Sequence, residues 1–474
     1  MTSARSSGSS ATEVRYVSTR GDAPVLGFGD VLLEGLASDG GLYVPEHWPS
    51  LSPADLASFA NLSYPEVAVR VLTPFVGGEI DGDEFERMVH AAYSTFDHPD
   101  VVPISSIGDL QLVELYRGPT YSFKDVALQL IGHLFEHELG RRSAQVTIVG
   151  ATSGDTGSAA IEACRGRRGV ELVMLHPQGR VTEIQRRQMT TVDASNIHNV
   201  AIDGTFDDCQ DLVKAMFGNP SFRDRHRLAA VNSINWARVA AQTVYYVTTA
   251  VRLGAPARPV AITVPTGNFG NVLAGHIARM MGVPIERLTI ASNHNDILTR
   301  TYETGVMTLE PVVPSTSPAM DIGVSSNFER LLYELQGRDG PALGRQMAAF
   351  RAAGALLLPD DVTSDLRRLF EAGRASELEV EAAIADVYRE TGRLVDPHTA
   401  VGVSVARRAP RFEGASVVMA TAHPAKFGEV VSRAVGHAPE LPPGLAAVVD
   451  RPEFCVELPN DLAAVMDHVA AIGA

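Results

Sequence analysis

One lysine and three strand-to-helix loops hold the residues in this chain that can do chemistry. Lys124 lies in Pro119-Thr120-Tyr121-Ser122-Phe123-Lys124-Asp125, at the mouth of an apolar run. The run, Val126, Ala127, Leu128, Leu130, Ile131, Leu134 and Phe135, has helical spacing and stops at Gly140. A lysine in the first turn meets the positive end of the backbone dipole, and apolar walls disfavour its ammonium form further. An amine pushed towards neutrality attacks an aldehyde, so Lys124 is a candidate Schiff-base lysine. The plainer reading is a solvated surface lysine.

The first loop is Ala151-Thr152-Ser153-Gly154-Asp155-Thr156-Gly157, the second Pro265-Thr266-Gly267-Asn268-Phe269-Gly270-Asn271, and the third Thr421-Ala422-His423-Pro424-Ala425-Lys426-Phe427. In an open α/β sheet ligands bind outside the carboxyl ends of the strands, so three such loops should line one cleft. Gly267 and Gly270 let the backbone of the second loop come close to a phosphate dianion at a helix start. It lacks the lysine of a triphosphate-binding loop and the third glycine of a dinucleotide fingerprint. A tight turn is the alternative. The first loop gathers Thr152, Ser153 and Thr156 hydroxyls at another helix start, which suits a carboxylate, with simple N-capping as the alternative. An amine poised for a Schiff base, a phosphate cradle and a carboxylate nest are together what pyridoxal phosphate needs to act on an amino acid.

These loops need a parallel sheet to position them. From about residue 101, short β-branched runs alternate with helical patterns, the sequence form of a parallel sheet wrapped by helices. Strands are expected at 145–150, 170–175, 198–202, 259–264, 287–292 and 415–420. Helices are expected near 156–165, 181–191, 205–217, 235–253, 271–281, 361–373, 377–390, 397–408 and 426–436. The organisation expected is a disordered tail over 1–12, a mostly helical unit over 13–100, and α/β domains over 101–255 and 256–474. The 474 residues carry a formal net charge of −16, which argues against a nucleic-acid or anionic-membrane binder. Three scattered cysteines, Cys164, Cys209 and Cys455, make no disulfide framework and fit a reducing cytoplasm. No run approaches the ~18 apolar residues of a membrane span.

The segments PTYSFKD, TSGDTG, PTGNFGN, SPAMDI, DPHTA and TAHPAKF, with LASDGGLYVP near the start, closely resemble threonine synthases, fold-type-II pyridoxal-phosphate enzymes, in the branch with an extra N-terminal domain. The resemblance covers nearly the whole chain beyond the first dozen residues. It implies that Lys124 carries the cofactor and shuttles protons. Gly267, Asn268, Phe269, Gly270 and Asn271 would hold the cofactor phosphate, and Thr421 would face the pyridine nitrogen. Thr152, Ser153, Gly154, Asp155 and Thr156 match the loop for the substrate carboxylate. Many related enzymes carry Asn where Asp155 stands, and a carboxylate there would repel the cofactor's ring oxygen unless a proton is shared. The implied reaction turns O-phospho-L-homoserine and water into L-threonine and phosphate. Lys426 is the first candidate for the substrate phosphate, ahead of Arg300, Arg186 and Arg238. Asn232, Asn235, Asn293, Asn295, Asp296, Asp321 and His398 lie in family-like segments, as substrate ligands or as loop hydrogen-bonders.

Other chemistries remain open at this point. A phospho-lyase or a hydroxy-amino-acid dehydratase would use the same cofactor, and a homologue that only binds is a third class. His133, Glu136 and His137 satisfy an H-x-x-E-H zinc-peptidase pattern. Monomer and homodimer are both open.

Overall fold

The computed structural model describes residues 14–472, and the expected tail over 1–12 lies outside them. The β-branched runs form strands buried on both faces, which is why they read as continuous apolar stretches. They build two parallel sheets. The first has five strands in the order Val456–Pro459, Ile197–Asp203, Val170–Pro177, Val146–Ala151, Leu228–Ala229. The second has six, in the order Glu371–Arg374, Ile285–Ser292, Val260–Pro265, Ala415–Ala420, Leu110–Glu114, Ile104–Ile107. Only the pairing of Ile104–Ile107 with Leu110–Glu114 is antiparallel in these two sheets.

Sheet membership crosses residue 255 in both directions. Leu110–Glu114 belongs to the second sheet and Val456–Pro459 to the first, so 101–255 and 256–474 do not each hold one sheet. The reason is the register of the second sheet, in which Ala420 lies opposite Glu114 and Val418 opposite Thr263. The strand leading to the lysine segment therefore ends level with the two strands that lead to the 265–271 and 421–427 loops.

The N-terminal unit is mostly helical, as expected, with helices Phe28–Glu34, Pro53–Ser58, Tyr64–Val76 and Gly82–Tyr93. It has no core of its own. Its apolar faces join one continuous cluster with the helices Lys124–Arg142 and Trp236–Arg252. Trp236, fully buried, is the hub: the rings of Tyr16, Trp48 and Phe75 lie 5.9, 5.7 and 5.7 Å from it. The same unit reaches the second sheet's helices through a buried ion pair, Arg20 to Glu329 at 2.8 Å, where Glu329 also accepts a hydrogen bond from Thr19.

Two expected helices need correction. The pattern at 361–373 is a helix only over Asp360–Leu369; Glu371–Arg374 then pairs as an edge strand with Ile285–Ser292. The pattern at 426–436 begins as a 3-10 turn, Pro424–Phe427, before the helix Gly428–Val435. No described helix is long and apolar enough to cross a membrane.

Replacing Glu329 by Ala strands the Arg20 guanidinium in the interior. Breaking one side of a buried ion pair costs about 3–5 kcal/mol, and urea unfolding of the E329A protein should show a loss of that order.

Candidate active site

The lysine segment is set by its own aspartate. Asp125 accepts the Thr120 amide at 2.8 Å and its hydroxyl at 2.7 Å, closing the turn that starts the helix Lys124–Arg142. Burial pushes the Asp125 carboxyl up to about 6. The Phe123 amide donates to the carbonyl of Thr421 at 2.8 Å, and Ser122 pairs with Ala422, so the lysine segment is stitched to the third loop. Lys124 itself is 7% exposed. Burial lowers its pKa; Asp155 opposes that, and the charges of Lys426 and Arg238 add to the lowering.

Asp155 is the centre of the site's charge. Its carboxylate lies 3.4 Å from the Lys124 ammonium and 2.8 Å from that of Lys426, and it accepts the Gln185 side-chain amide at 2.8 Å. Burial alone would raise its pKa, but the two lysines override it and hold the carboxyl ionised, far below the usual range. The repulsion expected between Asp155 and a ring oxygen is thus offset locally by two ammonium groups.

Around this centre the sequence-expected residues divide. Thr152 is turned inward, its Oγ1 accepting the amides of Gly154 and Gly157 at 3.0 and 2.8 Å, so its hydroxyl builds the loop. Ser153 and Thr156 stay half-buried. Gly154 has φ +135°, and a Cβ there would lie 2.6 Å from the Gln185 side chain. Lys426 is fully buried, its ammonium donating to the Thr120 carbonyl at 2.8 Å as well as pairing with Asp155. Arg186 pairs with Glu453, and Arg300 with Asp296 and Glu310. Asn293 and Asn295 both donate to Asp321 at 2.8 Å, and Asn235 caps the helix Trp236–Arg252 while donating to the Leu32 carbonyl. Asn232 accepts the amide of Ile234. His398 pairs with Asp396 at 2.8 Å.

Two of the sequence-expected side chains carry buried donors that find no partner among the described residues. Arg238 is 5% exposed, yet its Nε and one Nη find no partner among the described residues. Asn271 gives its Oδ1 to the hydroxyls of Tyr245 and Tyr246, both at 2.7 Å, while its Nδ2 is buried and unpartnered. Buried donors without acceptors are costly, and these fit phosphate-bearing ligands. In the 267–271 loop Phe269 is held at φ +63° by its buried ring, which packs edge-on against Phe328 at 5.3 Å. A Cβ on Gly267 would lie 2.7 Å from the Ala319 carbonyl, so only glycine fits. The Thr421 amide donates to Thr399, whose hydroxyl donates to Asp396.

The zinc pattern does not assemble. His133 meets Arg167 at 3.0 Å, Glu136 pairs with Arg167 and Arg168, and His137 faces Glu84, so guanidinium groups occupy the space a metal would need. No group of three or more metal-ligating side chains lies together among the described residues. Gln185, Asp125 and Thr120 shape the site without a sequence pattern that marks them, although Asp125 and Thr120 stand in the lysine segment. Gln185 sits in an expected helix, and only its approach to Asp155 distinguishes it.

Residues 112–358 match the model of pyridoxal-phosphate-dependent enzymes, and with the two open parallel sheets this defines a fold-type-II enzyme that uses pyridoxal phosphate. Residues 15–93 and 399–469 match the models of the threonine synthase N terminus and C-terminal region. The threonine synthase of Pseudomonas aeruginosa is 50% identical over 463 residues, 97% of this chain and 99% of the relative. The crystal structure of pyridoxal-phosphate-bound threonine synthase from Brucella melitensis superposes with a TM-score of 0.95 at 49% identity, covering 97% of this chain and 99% of that one. Yeast threonine synthase gives 0.92 at 36% identity, covering 98% and 99%. The chain belongs to the threonine synthase family.

The third loop carries a proton-sensitive element. His423 accepts the Ala425 amide through Nδ1 at 3.2 Å, which requires that nitrogen bare, and burial pushes its pKa down from 6.5 to about 4. The unfolded chain takes up this proton first, so the stability that His423 contributes is complete above pH 6.5 and is lost as pH falls to about 4. His423→Asn keeps an acceptor without a titration. Its unfolding midpoint in urea should therefore fall less over that interval than the parent's.

Proposed function

We propose that this enzyme converts O-phospho-L-homoserine and water into L-threonine and inorganic phosphate, with Lys124 as the amine that carries the cofactor. Family membership supports the reaction. The observation that carries the assignment of residues is the pairing of a buried amine, depressed by burial, with two separate sets of unpartnered donors, Asn271 Nδ2 and Arg238 Nε and Nη. Substrate and cofactor each bring a phosphate. Tyr245, which binds Asn271, lies two helical turns beyond Arg238, about 10 Å along the axis.

Bound pyridoxal phosphate supplies an aldehyde that condenses with amines and a ring that withdraws electrons from the adjoining carbons. The loop Gly267, Asn268, Phe269, Gly270 and Asn271 would hold its phosphate, and the Thr421 hydroxyl would face the pyridine nitrogen. A neutral hydroxyl cannot keep that nitrogen protonated as a carboxylate would, which tends to favour elimination and replacement over transamination. The half-buried hydroxyls of Ser153 and Thr156, with the Gly154 and Asp155 backbone at a helix start, would take the substrate carboxylate. For the substrate phosphate Arg238 is preferred to Lys426, because the Lys426 ammonium is engaged by Asp155 and Thr120.

Lys124 takes the proton from substrate Cα, for which its lowered pKa suits it. In the net reaction a proton leaves Cβ, the Cγ–O bond breaks with loss of phosphate, Cγ gains a proton to become the methyl group, and water gives its hydroxyl to Cβ, its other proton leaving with the phosphate. Asp155 keeps the Lys124 amine placed while Lys426 balances its charge. Three scattered cysteines fit a cytoplasmic location.

Incubated with pyridoxal phosphate and O-phospho-L-homoserine, the purified protein should release L-threonine and phosphate in equal amounts; release of 2-oxobutyrate instead would overturn the reading. Lys124→Ala should lower kcat by about a hundredfold or more. Arg238→Met should raise KM for the phosphorylated substrate by about 10- to 100-fold, the loss of hydrogen bonds to a charged group.

A further inference from the structure

The amides of the 267–271 loop need an outside restraint, since a glycine-bearing turn ahead of a helix does not by itself choose which way its peptide planes face. That restraint comes from the segment 325–330. The Ser325 hydroxyl donates to the carbonyl of Gly267 at 2.8 Å. Asn327 donates to the carbonyl of Asn268 twice, from its backbone amide at 3.2 Å and from its side-chain Nδ2 at 2.9 Å. A trans peptide is planar, with its N–H opposite its C=O. Drawing these two carbonyls to one side therefore turns the N–H groups of Asn268 and Phe269 to the other. Neither of those amides donates to another backbone group in the described turns and loops.

The Asn327 side chain cannot rotate out of this role. Its Oδ1 accepts from Arg330, a guanidinium that has only donors, so Nδ2 must face the carbonyls. Its second N–H donates to the Ser233 carbonyl at 3.0 Å, just ahead of the helix that carries Arg238. Arg330 is 1% exposed and is fixed by the carbonyls of Tyr43 at 3.0 Å and Ile234 at 2.7 Å, with its guanidinium 5.6 Å from the Trp236 ring.

We propose that Asn327 is a positioning residue for the cofactor-phosphate loop: its side-chain amide, clamped by Arg330, holds the Asn268 carbonyl away from the ligand so that successive backbone N–H groups face the phosphate. The proposal rests on the reading of 267–271 as that loop. It makes a demand a general packing role would not make. Loss of the amide should weaken binding of the phosphorylated cofactor and leave the dephosphorylated one untouched.

The test titrates the full chain, freed of cofactor, with pyridoxal phosphate and separately with pyridoxal, following the absorbance of the lysine adduct. Asn327→Asp keeps the size and the acceptor for Arg330 but replaces the donor with an oxygen facing two carbonyls. It should weaken pyridoxal phosphate about 10- to 100-fold, with pyridoxal within twofold of the parent. Ser325→Ala, a milder cut at the neighbouring carbonyl, should shift the same ratio in the same direction by a smaller factor. Asn271→Asp serves as the control on the loop itself. If N271D loses the preference for the phosphorylated form while N327D and S325A keep it, or lose both ligands equally, the role of Asn327 is overturned. If N271D keeps the preference too, the phosphate-loop reading falls and the proposal with it.

Discussion

Placing two ammonium groups in the interior within 3.4 Å of one shared carboxylate is the constraint around which the rest of this molecule is arranged. Three charges taken out of water are costly unless their geometry is held tightly. The Lys124 amine has Asp155 on one side and the charges of Lys426 and Arg238 nearby. Desolvation moves it towards the neutral, nucleophilic form while the carboxylate limits how far it goes. Lys426 and Gln185 keep that carboxylate from swinging onto Lys124 alone.

The two sheets meet at this cluster because each contributes part of it. The first sheet brings Asp155 at the end of Val146–Ala151; the second brings Lys426 at the end of Ala415–Ala420 and, through Leu110–Glu114, the segment ending at Lys124. The N-terminal unit packs behind them. Its carbonyls at Leu32 and Tyr43 receive Asn235 and Arg330, so the start of the helix bearing Arg238 and the support of the 267–271 loop both lean on residues far away in sequence. Replacing a residue in that unit can therefore disturb ligand geometry without touching a ligand.

Much of this was legible in the sequence because local rules and the fold agree. The strands at 146–151, 170–177, 197–203, 260–265, 285–292 and 415–420 have strong β-branched patterns, and the structure has each within two residues of its expected limits. The three loops could be found because glycine and hydroxyl residues directly follow those strands. What escaped was decided by distant partners. Glu371–Arg374 reads as the tail of a helix and becomes a strand only because an unpaired edge lies beside it. Lys426 looks like a free cation in its own loop, yet its ammonium is claimed by a carboxylate more than 250 residues earlier. Thr152 Oγ1 accepts two amides of its own loop, the capping role that the sequence offered beside the ligand role. Gln185 carries no local signal at all.

The strand Val456–Pro459 pairs with Ile197–Asp203, and the helix Leu462–Ile472 covers the same sheet through Val465 and Val469. During synthesis on the ribosome the other four strands of that sheet emerge some 230 residues earlier. Until residues 456–472 arrive, Ile197–Asp203 presents an unpaired edge and an apolar face to its surroundings, the kind of surface on which nascent chains associate wrongly. Residues 456–472, made well after the other four strands, thus seal the first sheet, and chaperone binding to growing chains should be judged against that order of assembly.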